Sequence, residues 1–228
     1  MLKYLIFCLP RTGSSLLGEL LAAQPASAYD DERLHPKFWR GWRMPLYRLL
    51  RFYPYPYLDY RCWQAQRQGK EIYGFKLFPS HVRWTRVMLL RLSRQQWQIL
   101  HVQRRDLFHQ VLSLLVAFQT GRYDGDHADA PPRLYLDPAL VANQLQVRTQ
   151  RLQRSDALLS GIEHLDVVYE DDLLDSSQWD ATLARIAAAW GIRFAPAQTG
   201  YRKTWQQPYS ELIVNYAELL TLAEAQSS

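Results

Sequence analysis

Residues 3 to 15 read KYLIFCLPRTGSS, an apolar β-type run broken by Pro10, followed by Arg, Thr, Gly and two serines before helical spacing begins. Strand, tight turn and helix start in that order commit the chain to a βα unit. They also put Thr12, Gly13, Ser14 and Ser15 where a helix leaves its first N–H groups unpaired. Those N–H groups, the positive end of the helix dipole and the hydroxyls suit one anion. Gly13 permits close backbone approach, and Arg11 adds a permanent charge. The loop is not GxxxxGK[ST], which argues against an ordinary nucleotide triphosphatase. A plain βα turn with a serine N-cap accounts for Ser14 or Ser15 alone.

Helical spacing continues through Leu16, Leu17, Leu20 and Leu21 until Pro25. Further strands are predicted at Ile72 to Phe78, Gln98 to Arg104 and Leu165 to Tyr169, with helices near 81–94, 106–121, 138–160 and 177–190. The alternation predicts an α/β fold, a P-loop-type parallel sheet flanked by helices, in a single domain over 1–228. The hydrophobic share of 48% excludes a disordered chain, and 27 Lys and Arg against 22 acids suit an anionic ligand without implying nucleic acid. Cys8 and Cys62 are expected to be free thiols in a reducing compartment. The apolar N-terminal stretch is too short for a membrane span and runs into the phosphate turn, so it is read as neither span nor signal peptide and a cytoplasmic protein is expected.

Two stretches remain outside that frame. Arg122 to Asp137 carries Asp124, Asp126, His127 and Asp129, but without the glycine and terminal glutamate of a calcium loop it reads as a solvated surface loop, with no metal expected. Between Arg33 and Arg67, ten aromatic residues from Phe38 to Trp63 alternate with arginines and Lys37, and Asp59 is the only acid. Such a segment stacks on sugar rings, lies on an anionic membrane surface or grips single-stranded nucleic acid; equally, it forms a half-buried helical cover with arginines on its wet side. Pro54 and Pro56 are expected to break any long helix there.

A second anion site is suggested where the third predicted strand ends in Arg104, Arg105 and Asp106. Ser113 lies eight positions beyond Arg105, two helical turns along. An Arg at a strand end and a Ser from the next helix suit one further anion, and a surface Arg pair with a Ser bonded to its own helix is the plain alternative.

PRTGSSLL after the first strand, with QRRDLFHQVLSLLVAFQTG later, resembles the bacterial carbohydrate sulfotransferases, the trehalose 2-sulfotransferase type in particular. The likeness extends to GFKLF at 74–78, VVYEDDLLD at 167–175 and a tail in which Tyr201, Arg202 and Lys203 precede PYSELIVNYAEL. It implies that Arg11, Thr12, Gly13, Ser14 and Ser15 hold the 5′-phosphosulfate of 3′-phosphoadenosine-5′-phosphosulfate (PAPS), and that Arg105 with Ser113 holds its 3′-phosphate. Arg202 and Lys203 become further 3′-phosphate contacts. Arg11 stands where cytosolic members usually have Lys, and the short chain implies a trimmed acceptor region.

The same resemblance implies transfer of a sulfuryl group, without a metal, to a hydroxyl of a carbohydrate, glycolipid or small metabolite. Lys76, near the end of the second predicted strand, is a candidate cation at the transferring group. Glu32, in YDDERLHP, is the candidate base that removes the acceptor proton, with Asp31 and His35 as neighbours that could take its place. Peripheral membrane contact suits a lipid acceptor. Two other readings remain: a P-loop kinase, which needs a Walker lysine and a metal carboxylate that find no place here, and a nucleic-acid-binding protein built on the Arg and aromatic segment. Oligomeric state has no signature in the chain.

Overall fold

A computed structural model describes residues 1–39, 41–123, 133–200 and 207–227. Strands β1 (Leu2–Cys8), β2 (Ser27–Asp30), β3 (Ile72–Leu77), β4 (Trp97–Gln103) and β5 (Leu165–Val168) form a parallel sheet in the order β2-β3-β1-β4-β5. Helices α1 (Ser14–Ala22), α2 (Met44–Leu50), α3 (Tyr55–Arg67), α4 (Thr85–Arg94), α5 (Leu107–Thr120), α6 (Pro138–Leu159), α7 (Trp179–Trp190), α8 (Tyr209–Leu212) and α9 (Tyr216–Ser227) complete an α/β architecture. The chain divides into two compact units: Met1–Gln103 with Ser155–Thr199, which contains the sheet, and Arg104–Arg154 with Gly200–Ser228.

Strand alternation assigns the faces of the sheet. Leu5 and Phe7 of β1, Tyr73, Phe75 and Leu77 of β3, and Trp97 and Ile99 of β4 share one core with Leu58 and Cys62 of α3, Met88, Leu89 and Leu92 of α4, and Leu159 at the end of α6. The other face carries Tyr4, Ile6, Gly74, Lys76 and Leu100, in register across the three strands. Tyr4 stacks there on Trp190 of α7 at 5.2 Å, and the ring of Tyr29 lies against Gly18 of α1. Helices thus cover both faces, as a parallel sheet requires. From the central β1 the chain runs first to the β3 side and later to β4, so the carboxyl end of β1 lies at the switch point where such sheets bind ligands.

Strands β3, β4 and β5 lie within about one residue of the predicted ranges. The short β2 was not expected, because SAYD carries no apolar run. Its end is fixed by Asp30, 5% exposed, whose carboxylate accepts from Arg61 at 2.6 Å and from Tyr73 Oη at 2.9 Å. The helix expected from residue 81 begins at Thr85 instead, since His81 turns inward and accepts the Phe78 N–H on its Nδ1. As expected, no helix runs through Pro54 and Pro56: α2 ends at Leu50, and the two prolines stand at the start of α3, where a missing N–H costs nothing. In the Arg and aromatic segment, Trp39, Tyr47 and Leu50 form a small core while Phe52, Tyr53, Tyr60 and Trp63 are exposed, so covering and exposed roles divide between different rings.

In the second unit, α5 is capped by Asp106, which accepts the His109 N–H at 2.9 Å, and Leu112, Val116, Leu136, Val141, Ile213 and Leu219 form its core. Cys8 and Cys62 are free and buried, and burial pushes the Cys8 thiol up to about 12. Among the described residues no helix is long and apolar enough to cross a membrane.

Gly74 has no room for a side chain, because a methyl group there overlaps the Tyr4 ring. Gly74→Ala is expected to lower the unfolding free energy by about 1 to 3 kcal/mol, the cost of overpacking a filled core, as read from urea denaturation.

Candidate functional site

The turn from β1 into α1 is held in an unusual backbone conformation. Arg11 (φ 68°) and Gly13 (φ 84°) are both left-handed, and Thr12 donates its hydroxyl to the Leu9 carbonyl at 2.9 Å. For Arg11 that conformation is strained, and strain of this kind persists where the surroundings enforce it, often at ligand sites. Gly13 is required twice over: by its positive φ, and because the Tyr169 ring lies 2.5 Å from where a Cβ would stand. Tyr169 belongs to the YEDDLL stretch, whose packing against the turn gives that stretch a structural reason. Gly13 itself serves as N-cap of α1, and Ser14 and Ser15 form the first turn.

Lys76 reaches this turn from the end of β3. Its ammonium, with the side chain 2% exposed, donates to Ser15 Oγ at 3.1 Å and pairs with Asp31 Oδ1 at 2.7 Å and Glu32 Oε1 at 3.2 Å. Burial alone disfavours its charge, but the facing Asp31 and Glu32 outweigh that and hold the lysine pKa above its ordinary value. For Asp31, burial likewise acts against the charge, and Lys76 reverses it, leaving the carboxyl below the usual range. The other Glu32 oxygen lies 3.7 Å from Lys37 Nζ. Glu32, Lys76 and Ser15, three residues singled out from the sequence, therefore meet at the carboxyl end of the sheet.

His35 and His81 adjoin this cluster, ring centroids 5.2 Å apart, and a nitrogen of each lies within 4.8 Å of a Glu32 oxygen. Their hydrogen bonds assign the tautomers. His35 Nδ1 accepts from the Lys37 N–H at 3.1 Å and His81 Nδ1 from the Phe78 N–H at 3.3 Å, so each neutral ring carries its proton on Nε2. The pair presents N–H donors beside the Glu32 carboxylate, not lone pairs for a metal. His81 Nε2 is buried without a partner. Burial, with His35, Lys76 and Lys37 adding to it, drives the His81 pKa down to about 3, and burial also lowers that of His35. His81 was not expected from the sequence, where a lone histidine after FPS carries no signal.

Arg105 and Ser113 lie in the second unit. Arg105 is exposed at the entrance to α5, where it lines a cleft of about 700 Å³ with Gln146, Thr149 and Gln150, and Ser113 is buried on α5. Arg202 and Lys203 fall outside the described residues, as do Asp124, Asp126, His127 and Asp129.

The His81 environment makes stability depend on pH. The native ring stays neutral down to about pH 3 while the unfolded chain takes up its proton near 6.5, so stability falls as pH drops through that window. His81→Asn, which keeps an acceptor for the Phe78 N–H, is expected to reduce the slope of urea midpoint against pH between about 6.5 and 3 by up to one proton. No known family model matches this chain, and no curated protein matches it either.

Proposed function

We propose that this chain is a sulfotransferase that moves a sulfuryl group from PAPS to a hydroxyl of a carbohydrate, glycolipid or similar metabolite. The observation that carries this reading is the buried Lys76 ammonium, which touches both Ser15 at the anion turn and Glu32, the candidate base. Sulfuryl transfer needs a cation where negative charge gathers on the departing phosphate oxygen and a carboxylate where the acceptor loses its proton. Lys76 and Glu32 supply the two side by side. The left-handed Gly13, with no space for a side chain, lets backbone N–H groups approach an anion closely.

In this mechanism Glu32 takes the acceptor hydroxyl proton as that oxygen bonds to sulfur, and the bond from sulfur to the 5′-phosphate oxygen breaks. Lys76, Arg11, the Ser14 and Ser15 hydroxyls and the first N–H groups of α1 receive the charge on the leaving phosphate. His35 and His81 act as N–H donors near the acceptor oxygen, so the base is a carboxylate, Glu32 in this reading with Asp31 as its neighbouring alternative. Arg105 and Ser113 take the 3′-phosphate. Exposed Phe52, Tyr53 and Trp84, around a hollow of about 210 Å³, offer faces on which a sugar ring stacks.

Two measurements test the reading. Glu32→Gln is expected to lower turnover roughly a hundredfold or more while leaving donor binding near that of the parent chain; unchanged turnover moves the base role to another group. Calorimetry is expected to show 3′-phosphoadenosine-5′-phosphate binding without magnesium, weakened in Arg105→Ala by about 1.5 to 3 kcal/mol, the worth of a charged hydrogen bond. A preference for magnesium and ATP instead would mark a kinase, and steeply salt-dependent oligonucleotide binding a nucleic-acid protein.

A further inference from the structure

On the sheet face opposite Lys76, β4 and β5 bring a second polar cluster together. His101 pairs in register with Asp166, and Gln103 and His164, each two residues from one of them, fall on the same side. His101 Nδ1 stands 3.2 Å from Asp166 Oδ1, and His164 Nε2 stands 3.8 Å from that same oxygen. One ligand atom from each of the three residues lies within 4.8 Å of the others. Donor atoms on a tetrahedral ion with bonds of about 2.0 to 2.1 Å are roughly 3.3 Å apart, so little movement separates this arrangement from a coordination shell.

The His164 tautomer favours a cation here, in contrast to those of His35 and His81. His164 Nδ1 lies 2.7 Å from the Ile162 carbonyl, an acceptor only, so Nδ1 carries the proton and Nε2 keeps its lone pair toward Asp166. Gln103 Nε2 donates to Asp166 Oδ1 at 2.9 Å, and His101 Nδ1 lies between that amide, at 2.8 Å, and the Asp166 oxygen, at 3.2 Å; in the tautomer protonated on Nε2 it has a lone pair to offer an ion. In that tautomer the Gln103 amide sits between His101 Nδ1 and Asp166 Oδ1, where an ion would displace it. Asp166 retains its carboxylate for that role, since Arg185 bonds the Asp166 carbonyl at 2.9 Å and directs its charge to Asp172 at 2.7 Å. His101 is 2% exposed and the Asp166 side chain 53%, so the cluster has a buried floor and an open mouth.

We infer that His101 Nδ1, His164 Nε2 and Asp166 bind one divalent ion of the zinc class, with water completing the shell. Two imidazoles and one carboxylate form a borderline donor set that suits Zn²⁺ better than Mg²⁺ or Ca²⁺. The ion bridges β4 to the edge strand β5, and its effect is to pin that strand. Neither the ligands nor the consequence depends on sulfuryl transfer.

The test uses the metal-free full chain, titrated with ZnCl₂ by calorimetry and with CoCl₂ by visible absorption. Saturable binding of one equivalent is expected, with a four-coordinate Co²⁺ spectrum and a rise in melting temperature on adding Zn²⁺. His164→Ala and Asp166→Asn, both at solvent-accessible positions, are each expected to weaken Zn²⁺ binding at least tenfold and to remove the melting shift, while His81→Asn leaves both unchanged. Absence of saturable binding, or equal affinity in the parent chain and both variants, overturns the assignment and leaves His101, Gln103 and Asp166 as a hydrogen-bonded surface network.

Discussion

The ammonium of Lys76 is the contact on which the carboxyl end of the sheet depends. A lysine this deeply buried is costly unless its charge is matched, and Asp31, Glu32 and Ser15 match it from two other segments of the chain. One side chain thereby ties the end of β3 to the first turn of α1 and to the loop after β2. Removing the cation would leave two carboxylates facing each other; removing the carboxylates would leave a charge in the interior. Position and charge are therefore set together, which holds a cation against the first turn of α1.

A second buried ion cluster performs the same service on the outer strand. Asp30 closes β2 by accepting from Arg61 of α3 and Tyr73 of β3, so α3, formed from the Arg and aromatic segment, is anchored to the sheet through a carboxylate as well as through apolar packing. Asp31 and Glu32 follow immediately in sequence, and their placement beside Lys76 is inherited from that anchor. The strained Arg11 and the crowded Gly13 belong to the same economy: Tyr169 and Leu173 close over Gly13 and leave the turn little freedom to relax.

Much of the fold was legible because parallel strands buried on both faces read as mainly apolar runs, as β1 and β3 do. The turn into α1 was legible because Gly13 and the serines stand between an apolar strand and the start of helical spacing. β2 was not, since its four residues owe their conformation to pairing with β3 and to the Asp30 ion pairs, neither of which leaves a local pattern. His81 was invisible for a related reason. A histidine becomes distinctive only when its partners are known, and the Phe78 N–H that sets its tautomer is a backbone group without sequence identity.

By itself the sequence determined the βα opening, the α/β class and the residues able to carry charge at the first turn, because these follow from short-range periodicity and side-chain chemistry. Only the tertiary structure decided which of those charges meet. Lys76 and Ser15 are 61 residues apart, and His101 and Asp166 are 65 apart. Strand order and register bring such pairs within bonding distance, and the hydrogen bonds they then form decide which histidine nitrogen keeps its proton and which offers a lone pair.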